Sequence, residues 1–205
     1  MMLMVRLFFV ILSAVLVGGC ASTVKVNLAE ARVVEKTYRQ IGITGESDKI
    51  NRKIEVIQFD ITSKNELHNF FNIVEQKPIQ VLCRAEGAKR TENLANFGFG
   101  PYHGETNISK LLGPESSTVI EPMDGETEYR YSVYAFVGLK AGYTQIHNGV
   151  PETALNLKSE EFERLSCYMR GFTYPPAPKP RTNSFGIEKE HFLKMLNTYR
   201  ESANN

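Results

Sequence analysis

Hydrophobic residues in this chain alternate along short segments more often than they recur at helical spacing. Ile54 and Val56 open a β-rich run that extends to Ile61 and predicts a strand. Ser63 with Glu66 three residues later forms a capping box, and Leu67, Phe70, Phe71 and Val74 then share a helical stripe that Pro78 ends. The strand pattern returns in Ile79-Gln80-Val81-Leu82-Cys83-Arg84. Thr118–Glu121 and Glu128–Leu139 read as strands flanking a turn at Met123-Asp124-Gly125-Glu126. In the second of these, Tyr129, Tyr131, Val133, Ala135 and Val137 line one face. The other face changes from Arg130 and Ser132 to Tyr134 and Phe136, which predicts burial on both sides of its C-terminal half. Ala154–Lys158, Arg164–Tyr174 and Thr182–Ile187 are further strands. Glu188–Arg200 is a helix with Phe192, Met195, Leu196 and Tyr199 on one stripe.

Three stretches are less regular. Leu28, Ala31, Val34, Tyr38 and Ile41 recur at helical spacing, with Asn27 and Glu30 placed as caps, yet Val24–Leu28 alternates like a strand. Residues 87–115 are broken by Gly87, Gly98, Gly100, Pro101, Gly104, Gly113 and Pro114 and read as a long irregular insert. Pro175-Pro176-Ala177-Pro178-Lys179-Pro180 must be extended, because each proline fixes its own φ and restrains its predecessor. It reads as a stiff connector, or as an extended segment that an aromatic groove could hold. The expected fold class is mainly β: a β-sandwich of about six or seven strands with helical additions, α+β being the other possibility.

Composition places the chain among folded globular proteins, with 42% hydrophobic, 23% charged and 10% aromatic residues over 205 positions. At the N-terminus, Arg6 precedes the apolar run Leu7–Val17, which ends at Gly18-Gly19-Cys20. That order of charge, short apolar core and small residues is a secretory signal peptide. Eleven residues as a helix cover only about half of a ~30 Å bilayer core, too little for a permanent span. The 24 basic residues include Arg6, so a chain without its leader balances 23 basic against 23 acidic groups. With no excess positive charge to hold a phosphate backbone, nucleic acid is excluded as an expected partner.

Val17-Gly18-Gly19-Cys20 resembles the lipobox of bacterial lipoproteins. The resemblance implies diacylglycerol and palmitate on Cys20, cleavage just before it, and a membrane anchor of three acyl chains. Ala21, rather than Asp, after the cysteine is similar to lipoproteins sent to the outer membrane of Gram-negative cells. An ordinary secretory leader cut near a cysteine is the alternative. On these grounds residues 1–19 are a signal peptide, and 20–52 the lipidated cysteine with a tether or early element. Residues 53–205 are then a single sandwich-like domain with a C-terminal helix. The strand, helix and later strand of residues 53–86, behind a lipobox, resemble in architecture the outer-membrane lipoprotein of type VI secretion, a β-sandwich with helical additions.

Three cysteines leave one over in a secreted chain. Lipidation of Cys20 resolves the count and leaves Cys83 and Cys167, which an oxidising periplasm permits to bridge. Two buried free thiols are the other reading.

Candidate chemistry is sparse. His68, His103, His147 and His191 are isolated along the chain and read as surface residues, with no metal-ligand spacing. No Gly-x-Ser-x-Gly elbow occurs, and no cofactor motif. Gly98-Phe99-Gly100-Pro101-Tyr102-His103-Gly104 is one residue out of step with a phosphate loop, and Pro101 lacks an N–H that such a loop needs. Phe97, Phe99 and Tyr102 on that glycine-rich segment, with Tyr143, form the expected partner-binding surface, unless the rings plug one end of the sandwich. The expected function is a lipid-anchored, non-catalytic binding or structural module engaging another periplasmic or outer-membrane protein. The alternative is an envelope hydrolase or carbohydrate-binding protein using Glu86, Glu105 or Glu121 beside tyrosines.

Overall fold

Lys53–Ser63 (β3) runs through the middle of the molecule and is buried on both faces for most of its length. Asn27–Thr37 (β2) and Tyr129–Phe136 (β7) pair with it antiparallel on either side. The computed structural model describes residues 23–42, 48–72, 79–88, 96–111, 120–122, 127–138, 157–158, 161–171 and 180–203. Its other strands are Thr23–Val24 (β1), Gln80–Glu86 (β4), Asn96–His103 (β5) and Thr106–Asn107 (β6), then Arg164–Arg170 (β8), Arg181–Thr182 (β9) and Phe185–Glu188 (β10). Two helices complete it, Leu67–Asn72 (α1) and Lys189–Ala203 (α2). The protein is mainly β with helical additions, as the alternation predicts.

All these strands join one mixed sheet in the order β1-β9-β8-β4-β5-β7-β3-β2, with β10 beside β8 and β6 beside β5. The strand that unites it is β5, within the stretch expected to be irregular. It pairs with β4 on one side and β7 on the other, and so joins two groups of strands that the sequence separates. Its glycines and proline are what hide it. Gly98 lies so close to the Val81 side chain that a Cβ would have no room. Gly100, at φ +109°, sits in a register shift between Phe99 and Tyr102, where a proline is also tolerated.

The early stretch resolves in favour of alternation: Asn27–Thr37 is a strand, not a helix. The helical spacing that continues into Tyr38 and Ile41 belongs to a single turn after it. There the Thr37 N–H donates to Gln40 Oε1, and the Gln40 N–H donates back to Thr37 Oγ1. Because β1 and β2 are parts of one stretch, and β1 is parallel to β9, the two ends of the sheet meet through residues 23–37.

Two cores result. The larger contains Ile57, Phe59, Ile61, Tyr131, Val133 and Ala135, with Phe192 and Leu196 of α2. The smaller lies on the opposite face of β3 and β7, where Tyr38, Ile41 and Ile50 cover Val56, Tyr134 and Phe136. The predicted two-sided burial of the second half of β7 is therefore present. At α1 the capping differs from expectation. Ser63 Oγ accepts from the Asn65 N–H, while the Glu66 carboxylate itself caps the helix, accepting from the N–H groups of His68 and Asn69. Leu157 and Lys158 form a turn rather than a strand.

Candidate functional site

Cys83 and Cys167 face each other in register on β4 and β8, with sulfurs at bonding distance, 2.11 Å, and both side chains in the larger core. Neighbouring antiparallel strands place the two Cβ atoms opposite each other, which is what a cross-strand bridge requires. Cys20 lies outside the described residues.

The aromatic set expected on a partner-facing surface is distributed differently. Tyr102 is only 6% exposed, and its ring lies 5.4 Å from that of Tyr134. Phe99 packs edge-on against Phe136 at 5.0 Å and belongs to the smaller core. Tyr102 is thus buried in that core, and Phe99 lies half-buried against it. The Phe97 backbone pairs with Leu82; its side chain, like Tyr143, lies outside the described residues. Burial pushes the Tyr102 hydroxyl up to about 12, and the neighbouring Asn107 side chain opposes that rise. The hydroxyl nevertheless lacks a hydrogen bond of good geometry.

Beside the smaller core stands a polar ladder. Asp60 Oδ1 accepts from Gln58 Nε2 at 2.8 Å and from Ser132 Oγ at 2.6 Å, while Oδ2 pairs with the Arg32 guanidinium at 2.8 Å. Arg32 also meets Glu30 at 2.9 Å. A buried carboxylate with a cation and two neutral donors is satisfied, and it fixes the register of β2, β3 and β7. Burial raises the Tyr134 phenol, and the nearby Asp60 charge adds to the rise.

At the end of the sheet capped by α1, His68 is 2% exposed, contrary to the expectation of a surface histidine. Its Nε2 lies 3.2 Å from the Leu111 carbonyl oxygen and can donate to it, while Nδ1, without a hydrogen bond, lies 4.0 Å from the Glu66 carboxylate. Tyr131 Oη accepts from the Leu67 N–H at 3.0 Å. Burial carries the Tyr131 phenol well above the usual range. This cluster ties α1 to β7 and to the turn ending at Leu111. His103 is partly buried against the Arg130 carbonyl, His191 is exposed, and His147 lies outside the described residues.

Glu86, Glu105 and Glu121 are all exposed, at the end of β4, in the turn between β5 and β6, and in the segment before β7. No cluster of three or more metal-ligating side chains occurs among the described residues.

A groove of about 610 Å³ lies between β2 and α2. Arg32 of β2 and Glu190, His191 and Lys194 of α2 line it, with Val33 and Met195 as apolar lining. Burial raises the Tyr199 hydroxyl at its rim, with Glu35 and Glu55 adding to the effect. Among the described residues, none of the site residues expected from sequence lines this groove. The stripe on α2 was visible, but periodicity carries no information on which strand a helix lies against. No protein-family model matches the chain, and comparison with curated proteins and with solved structures also finds no match.

Proposed function

We propose that this chain is a lipid-anchored envelope lipoprotein, held at the outer membrane through Cys20 and facing the periplasm or the cell surface. Its folded body is a non-catalytic binding or structural module for another periplasmic or outer-membrane protein. The observation that carries this reading is the division of the three cysteines. Cys83 and Cys167 occupy one another, which leaves Cys20 as the odd thiol at the end of a leader-like segment. A buried bridge is characteristic of an oxidising compartment, and the leader supplies the route there. Three acyl chains exceed the two signals needed for stable anchoring. The buried carboxylates of Asp60 and Glu66 are engaged in holding strands and a helix end, which also favours a module over a hydrolase.

Metabolic labelling with palmitate should tag the wild-type protein and leave Cys20→Ala untagged and released from membranes. Crosslinking of the native envelope followed by mass spectrometry should then capture an envelope protein on the wild type. An untagged wild-type protein refutes the anchor, and a tagged protein that crosslinks to nothing refutes the partner.

A further inference from the structure

Cys20 precedes Thr23 by three residues, a span of at most about 10–11 Å when fully extended. Lipid on Cys20 would therefore hold the start of β1 within roughly one Debye length of the bilayer surface. The end of the sheet where β1 begins is consequently the end nearest the lipid.

That end is basic. Thr23 is in register with Arg181, Arg181 with Arg170, and Arg170 with Gln80 at the start of β4. On the other side, the Ser63 hydroxyl at the end of β3 donates to the Lys25 carbonyl at 3.4 Å, which holds the Lys25 backbone against the residue that precedes Lys64. Lys25, Lys64 and Arg181 are exposed, and Arg170 is half-buried with its Nε donating to Gln80. Among the described residues none of the three exposed cations forms an ion pair. Glu66, close by in the chain, is turned into the α1 N-terminus. In a chain whose body carries no net charge, this is a local concentration of positive groups.

We propose that this end of the sheet is a docking surface for an anionic lipid leaflet, with Lys25, Lys64, Arg170 and Arg181 meeting headgroup phosphates. The inference rests on lipidation of Cys20, and it adds an orientation to the anchor. Each basic side chain held near an anionic leaflet gains about fivefold in partition, an advantage that salt screens. The opposite end, with Thr37, Lys53 and Phe136, then points away from the bilayer.

The test uses the mature protein purified from membranes, with the state of Cys20 read from its intact mass. It is reconstituted into vesicles of phosphatidylcholine alone and of phosphatidylcholine mixed with phosphatidylglycerol. Lysine acylation by a water-soluble reagent is then followed peptide by peptide. Lys25 and Lys64 should react about fivefold more slowly on the anionic vesicles, while Lys53 and Lys194 keep their rates. Arg181→Glu, at an exposed position, should return much of the Lys25 reactivity. Equal rates at Lys25 and Lys64 on both vesicles, with lipid present on Cys20, overturn the docking surface and leave the lipoprotein reading intact. A mature protein without lipid on Cys20 overturns both.

Discussion

Asn183 holds Val26 with both ends of its side-chain amide. The Val26 N–H donates to Asn183 Oδ1 at 2.6 Å, and Asn183 Nδ2 donates to the Val26 carbonyl at 2.9 Å. The Asn183 N–H also donates to the Val24 carbonyl at 3.2 Å. Val26 falls between β1 and β2, where ladder pairing lapses, and it is buried. A side-chain amide, with one acceptor and two donors, replaces the missing strand partner at the junction of the two sheet ends.

Asn183→Ala should leave a buried N–H and a buried carbonyl without partners. The expected loss is about 2–6 kcal/mol, since each of the two groups costs about 1–3 kcal/mol. A denaturant midpoint shifted at unchanged slope is the signature to seek. A midpoint equal to wild type would mean that water satisfies Val26.

Reducing the Cys83–Cys167 bridge frees a loop with a sequence separation of 84. The chain-entropy treatment gives a loss of about 4–5 kcal/mol. Unfolding curves with and without reductant, and of the Cys83→Ala/Cys167→Ala pair, should agree in size. A gain of two hydrogens in mass on reduction identifies the bridge directly.

Tyr102 makes stability fall in alkali. Its hydroxyl is carried from 10.0 to about 12 on folding, chiefly by burial. A group whose proton is held more tightly in the folded state contributes fully below the unfolded value. Its contribution is lost as pH climbs from 10 toward 12. Tyr131 and Tyr134 shift in the same direction. Because the Tyr102 hydroxyl has no well-formed hydrogen bond, Tyr102→Phe should leave neutral-pH stability unchanged and flatten the alkaline decline. Urea midpoints measured across the alkaline range separate the two effects.

Much of the fold was legible because its signals are local. The change of character along the outer face of β7, from Arg130 to Phe136, announced a second buried layer. The stripe on α2 named Phe192 and Leu196, and the surroundings of Cys83 and Cys167 marked two strands. What escaped detection depends on partners distant in the chain. Gly98 read as a breaker, because the Val81 side chain that needs the space lies on another strand. His68 read as a surface residue, because the carbonyl that its ring meets is 43 residues away. The Asp60 ladder draws on three strands, and no spacing within one of them reveals it. Phe99 and Tyr102 read as contact residues, because Tyr38, Ile41 and Ile50, which share their core, lie on segments distant in the chain.

The brevity of β1 has a mechanical consequence. Tension on Cys20 would enter the body at Thr23 and load two residues of parallel pairing with β9, then the Asn183–Val26 bonds, before reaching the eleven residues of β2. The first element to yield under a pull is thus a short peel at the seam. The longer β2–β3 ladder behind it bears the remaining force, so the body can give slightly at its attachment without losing its core.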